Sequence, residues 1–229
     1  MVRRVLNYFA AYFKGGDYQL APEVPVSYLL GFSFRRAVSI LRGGLRLRAL
    51  VFVGARVVFR CKSKLRIGRG STIQDGVVID ALTCNGVIIG CRVNIGPYSR
   101  IQGSGVISNL GRGLVIGDDS GIGAFSFIGC GGGVQIGSNV IMGQYVSFHP
   151  ESHVFSSPER PIRSQGVSRM GITIGNDCWV GAKVTFLDGS CVGSGVVVAA
   201  GSVVRGRIPD NVVIGGVPAR ILKKRYENA

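Results

Sequence analysis

Charge is scarce in this sequence, and negative charge is scarcest. Charged residues make up 17% of the chain, with 12 acidic against 27 basic, for a formal net charge of +15. No acidic residue occurs between Glu23 and Asp75, while Arg35, Arg36, Arg42, Arg46, Arg48, Arg56, Arg60, Lys62, Lys64, Arg66 and Arg69 fall there. Such a field attracts polyanions of any kind, including nucleic acid, anionic lipid or a phosphate-bearing cofactor. There are only 8 prolines, and the 36 glycines follow no Gly-X-Y period, which excludes collagen. The six cysteines form no C-x-x-C pair and no recurrent spacing, so they read as buried free thiols in a reducing compartment. No apolar run is long enough to span a bilayer, and Met1–Lys14 lacks a cleavage region. These absences point to a cytosolic protein, with contact at the inner face of a membrane left open.

What is present is a beat of six. Ile67, Ile73 and Ile79 begin it. It resumes at Ile89, Ile95, Ile101 and Ile107, then at Ile116, Ile122 and Ile128, then at Ile136, Met142 and Phe148. It returns at Ile174, Val180, Phe186, Val192, Val198 and Val204. Glycine follows many of these, as at Gly68, Gly90, Gly96, Gly117, Gly137, Gly175 and Gly181. A helix would smear this period around its surface. A single strand would be far too long. Short strands joined by turns fit it, each apolar residue pointing inward and stacked coils sharing one core. No single hexad can bury its apolar residue alone, so the array must stack. The expected class is an all-β solenoid, a parallel β-helix of hexapeptide repeats over 67–218.

The step from Phe148 to Ile174 is large and predicts an extruded loop over 149–173, the kind of place where solenoids carry function. Residues 1–66 lack the beat. Val5–Phe13 and Val26–Arg42 read as helical, with Gly43-Gly44 ending the second. Leu29, Leu30, Phe34, Ala37, Val38 and Leu41 form one apolar face of it, beside Arg35, Arg36 and Arg42. Two readings stand: a cap over the open end of the solenoid, and an interfacial helix touching a membrane. Residues 219–229 read as a short basic helix.

The stretch Ile174-Gly175-Asn176-Asp177-Cys178-Trp179-Val180-Gly181-Ala182 resembles the hexapeptide-repeat acyltransferases. So do Ala200-Gly201-Ser202-Val203-Val204, Ile208-Pro209 and Gly215-Gly216-Val217-Pro218-Ala219-Arg220, in that order. The resemblance covers about residues 67–225 and is closest to the polysaccharide and sugar O-acetyltransferases. It implies a left-handed coil and a homotrimer with active sites between subunits. It also implies acetyl-CoA as co-substrate, a saccharide acceptor and no metal.

The two histidines, His149 and His153, both lie at the start of the long loop. Acyl transfer to a hydroxyl needs a base, and imidazole suits neutral pH. By resemblance the base is His153, which stands before Val154-Phe155, with Ser152 where the family has Asn or Asp. His149, followed directly by Pro150, is the runner-up, and the histidine not acting as base has a structural role. Glu151 is either a partner for a histidine ring or a solvated carboxylate. The resemblance gives the oxyanion donor as the Ala182 N–H. It places the cofactor along Trp179, Gly181, Ala182, Ala200 and Gly201, with Arg205, Arg220 and Lys223 near its adenine and phosphates. Where many members have Thr-Lys, this chain has Arg205-Gly206-Arg207.

Other classes fit less well. The γ-type carbonic anhydrase on this scaffold needs three histidine ligands. A nucleotidyltransferase needs a Rossmann-like unit, and none precedes the repeats. The usual nucleic-acid reading motifs are missing. A structural or anion-binding solenoid would not need the histidine loop. Amino-sugar N-acylation and serine or antibiotic O-acetylation remain open beside sugar O-acetylation.

Overall fold

The computed structural model describes residue 7 and residues 21–226. The expected helix Val5–Phe13 falls largely outside the described residues.

The chain rotates through three parallel sheets in strict order. Phe52–Val53 lies in the first, Val58–Arg60 in the second and Leu65–Ile67 in the third. The next three strands, Thr72–Ile73, Val78–Asp80 and Val87–Ile89, repeat the circuit one rung on. The circuit continues to Val197–Val198, Val203–Val204 and Arg207–Ile208. The result is a three-sided coil. It begins at Phe52 rather than at Ile67, because Val53 and Phe59 already keep the beat among basic neighbours.

Strands of the first and second sheets turn one residue to the axis, most third-sheet strands turn two, as at Val87 and Ile89, and these residues stack in columns. Ile73, Ile95, Ile122, Met142, Val180, Val198 and Ile214 fill one, all buried. Phe148 and Phe186 are fully buried in the second sheet's column, with ring centroids 4.8 Å apart. Ile107 does not belong to the beat. It is 84% exposed, on a loop that leaves the coil after Arg100–Gln102 and returns at Leu114. Corners take serine as well as valine. Ser71 donates to the Gly90 carbonyl at 2.8 Å and accepts the Val93 N–H at 3.0 Å, so its buried hydroxyl is satisfied.

At the corner between the first and second sheets, one residue per coil sits in the left-handed region. Tyr98, Phe125 and Tyr145 take that place in successive coils with φ of 57°, 56° and 58°. Their rings stack at 5.3 and 5.2 Å.

Helix α1, Val26–Leu47, packs on the first coil. It runs through Gly43-Gly44 instead of stopping there. Gly43 is buried, and a Cβ on it would run into the Val51 carbonyl, so this glycine serves close approach, not termination. The stop comes at Arg48, in the left-handed region, whose N–H bonds the Gly44 carbonyl at 3.0 Å. The C-terminal segment is not a helix. Ala219–Lys224 is a strand that turns back antiparallel on Val212–Gly216. Alternation wins there because the last rung of the first sheet has an open edge to pair with.

The cysteines are less uniformly buried than expected. Cys130 and Cys178 are buried, while Cys84 and Cys191 are exposed. Burial, with a smaller push from Asp80, raises the Cys130 thiol to about 12. An aromatic thiol reagent at neutral pH will therefore label Cys84 and Cys191 in the native protein and reach Cys130 only after denaturation. Mass spectrometry of the labelled peptides checks the order. Phe186→Ala removes a ring from the axis and is expected to cost roughly 3–5 kcal/mol in urea unfolding.

Candidate active site

His149 is the last residue of Ser147–His149 in the second sheet, level with Leu187 on the next coil. Its ring lies 5.6 Å from that of Phe127, one coil below. His153 lies four positions on, in the short strand Ser152–His153, which pairs antiparallel with Val167–Ser168. The expected loop is thus a small hairpin standing off the coil. Both imidazoles are exposed, and neither makes a hydrogen bond among the described residues.

Glu151, between them, serves neither ring. Its carboxylate pairs with Arg169 at 3.0 Å, at the returning end of the hairpin. Arg169, with a side chain 16% exposed, also donates to Asn109 Oδ1 at 2.8 Å and to the Leu110 carbonyl at 3.2 Å. One guanidinium therefore ties both feet of the histidine loop to the loop two coils below. Its planar fork makes several such bonds at once, which a lysine could not match. The coil between makes room with glycine: a Cβ on Gly131 would meet the Glu151 carboxylate, and one on Gly132 the Pro150 carbonyl. Asp188 closes the return by accepting the Met170 and Gly171 N–H groups at 2.9 and 2.8 Å. Further out, Gln165 accepts the Ser157 N–H at 3.0 Å and donates to the Arg160 carbonyl at 2.7 Å. The sequence reading missed this bracing. Its trace was the lone Arg169 just before the returning strand, a long cation between Ser168 and Met170.

The other predicted residues form a second group. Gly181, Ala182 and Ala199, Ala200, Gly201 stack at the corner between the first and second sheets. A Cβ on Gly143 would lie 2.6 Å from the Ala182 nitrogen, and one on Gly181 2.5 Å from the Ala200 nitrogen. The strip is backbone with almost no side chain, and an extended arm can lie against it. No group among the described residues accepts the Ala182 N–H. The same holds for Ala124, Gln144 and Ala200, so the free N–H belongs to the corner rather than to Ala182 alone. Trp179 stands beside this strip on the outer face of the first sheet, 60% exposed between Ile141 and Val197. It is not a core residue. Lys223 closes the same outer row, reached through Val197 and Val213, and Arg220 pairs with Gly215 on the return strand.

Arg205 departs from this group. It follows Val203–Val204, so it sits on the far edge of the second sheet, above Leu187 and His149. Ala182 and Leu187 stand five positions apart along a turn and a strand, at most about 16 Å at an extended rise. One chain thus holds the strip with Trp179, Arg220 and Lys223 on one side of a sheet, and His149, His153 and Arg205 on the other.

A groove of about 380 Å³ runs along the outer face of the third sheet at the foot of the loop, lined by Ile88, Arg112, Val115, Met170 and Cys191 among others. It contains neither histidine. Among the described residues no cluster of His, Cys, Asp and Glu could hold a metal ion.

Residues 171–206 match the family model of the bacterial transferase hexapeptide (six repeats). An Escherichia coli K12 protein, assigned by name to lipopolysaccharide biosynthesis as an O-acetyl transferase, is 41% identical over 98 residues. That match takes in 40% of this chain and 50% of the relative. The crystal structure of a maltose O-acetyltransferase from Clostridium difficile 630 is 26% identical, covers 61% of this chain and 70% of its own, and superposes with a TM-score of 0.51. AntD, an N-acyltransferase from Bacillus cereus in complex with dTDP and coenzyme A, is 18% identical with a TM-score of 0.52 over 82% of this chain and 89% of its own. At that identity it shows the fold alone. The chain spans about half the length of the curated relatives it matches. The resemblance to the hexapeptide transferases therefore holds, and the relatives are acetyltransferases that include O-acetyltransferases.

Arg169→Ala should leave the coil intact and release the hairpin. Limited proteolysis is expected to cut between residues 154 and 168 much faster than in the wild type, with little change in the far-ultraviolet circular dichroism.

Proposed function

We infer that this hexapeptide-repeat chain is an acetyl-CoA-dependent O-acetyltransferase acting on a sugar hydroxyl of a surface polysaccharide or its precursor. The observation that carries this reading is the braced loop: His149 ends the coil strand from which it departs and His153 stands on it, both exposed. Acetyl-CoA and the saccharide are the substrates, and no nucleic acid is involved.

His153 takes the proton from the acceptor hydroxyl as its oxygen attacks the thioester carbonyl. The carbonyl becomes an oxyanion, which accepts the Ala182 N–H. Collapse of the tetrahedral adduct breaks the C–S bond. The CoA thiolate leaves and takes the proton back from the imidazolium, so the base is restored. Transfer is direct, with no acyl-enzyme. The strip of Gly181, Ala182, Ala200 and Gly201 beds the pantetheine arm, Trp179 flanks it, and Arg205, Arg220 and Lys223 meet the adenine and phosphates.

The division of these residues across the second sheet supports the homotrimer. In a trimer of left-handed coils, the strip of one subunit faces the histidine loop of its neighbour, and Arg205 acts across the same cleft. In a single chain the strand Thr185–Leu187 lies between the halves, a separation of at most about 16 Å.

His149 supports a second assignment of the base. It lies on a strand of the coil, against Phe127, while His153 stands on the hairpin. A base held on a strand is positioned more tightly than one on a loop.

CoA release measured with saccharide acceptors separates these readings. His153→Ala is expected to lower kcat by roughly 10²–10⁴ with the KM for acetyl-CoA nearly unchanged. A full loss in His149→Ala with activity kept in His153→Ala would transfer the role to His149. Transfer to amino sugars alone would make it an N-acyltransferase. Absence of both CoA binding and CoA release would leave a structural solenoid.

A further inference from the structure

Helix α1 presents the wrong face to solvent for a soluble cap. Leu29, Arg36, Ile40, Gly43 and Leu47 face the coil, and Arg36 spends its charge there. Its guanidinium sits 3.4 Å over the Phe52 ring and donates to Thr72 Oγ1 at 3.0 Å. Burial lowers its pKa. Arg46 is spent likewise, donating to the Val57 carbonyl at 2.9 Å. The outer face is the more apolar one. Val26, Leu30, Phe34, Ala37, Leu41 and Leu45 are all exposed and fall within an arc of about 100° at 3.6 residues per turn. Phe34 is 71% exposed and Leu45 77%. Arg35 and Arg42 border this stripe and pair with nothing among the described residues.

We propose that this face lies in the interface of an anionic membrane, with Leu30, Phe34, Leu41 and Leu45 in the acyl boundary and Arg35 and Arg42 at the headgroups. Charge chooses the occupant. No carboxylate among the described residues pairs with these arginines: Asp75 accepts the Ala55 N–H and Asp80 lies by Arg60 at 3.9 Å. Glu23 is the one acid just ahead of the helix. A second copy seated by twofold symmetry would bring Arg35 and Arg42 against the same two cations. Residues 1–20 hold Arg3, Arg4 and Lys14 against Asp17, so that segment adds positive charge rather than complementing it. Anionic lipid offers both the apolar layer and the opposite charge. Among the described residues no helix is long and apolar enough to cross a membrane, so the contact is in the plane of the interface.

Flotation of the purified full chain with vesicles tests this without any enzyme assay. Phosphatidylcholine vesicles are compared with phosphatidylcholine–phosphatidylglycerol vesicles. The wild type is expected to float with the anionic vesicles and to be released as salt rises. Arg35→Gln and Arg42→Gln are each expected to weaken partition about fivefold. Phe34→Glu with Leu41→Glu is expected to abolish it while circular dichroism stays unchanged. If that variant misfolds, the arginine pair still decides the matter. Failure of the wild type to bind anionic vesicles at low salt overturns the proposal, as does equal binding to neutral vesicles. Self-association without lipid binding, lost in the Glu variant and kept in the Gln variants, assigns the face to a second copy instead.

Discussion

Everything in this molecule depends on every strand sending apolar side chains to a shared axis. Most corners take two to four residues, so a six-residue step returns an apolar residue inward on the first and second sides, while the corner into the third sheet varies in length. Parallel pairing then follows, because each strand meets its equivalent one circuit later. Burying these columns removes a continuous apolar stripe from water, worth roughly 25 cal/mol per Å². The outer surface is left free of that duty, which is why loops can leave it without loss of register.

This freedom accounts for how the functional residues are laid out. The histidine loop departs between the second and third sheets, where the third-sheet strand Ile172–Ile174 resumes in register with Val134–Ile136 below. The small-residue strip occupies the opposite corner and comes from the coil itself. Neither arrangement asks anything of the other within a chain. Within one chain the second sheet separates them, with the exposed Trp179 row on the side of the strip.

The core was legible because its largest side chains recur at six-residue steps. Ile73, Ile95 and Phe186 could be placed from spacing alone. Ile107 kept the spacing and still fell outside, because an apolar residue in a loop can stand six positions on by coincidence. Val53 and Phe59 were hidden by basic neighbours, which belong to the surface. The helix stop at Gly43 failed for a different reason. Glycine marks either a break or a close approach, and only the position of Val51 decides between them. The terminal strand failed because its partner, the open edge of the last coil, exists only once the coil is built. At the site, both histidines and the strip could be read from the chain. The pairing of Glu151 with Arg169 could not, since it joins positions 18 apart with no local signal.

The bracing of Arg169 on Asn109 also bears on how many coils the molecule has. Hydrophobic columns are indifferent to number, and a rung duplicated or lost leaves every interior contact with an equivalent neighbour. The clamp is not indifferent. It bridges the loops of the third and fifth coils across a fourth whose Gly131 and Gly132 leave just enough space. A spare coil there would move Asn109 out of reach by one strand spacing, about 4.8 Å. The repeat count in this stretch is therefore fixed from outside, by a side chain acting as a gauge.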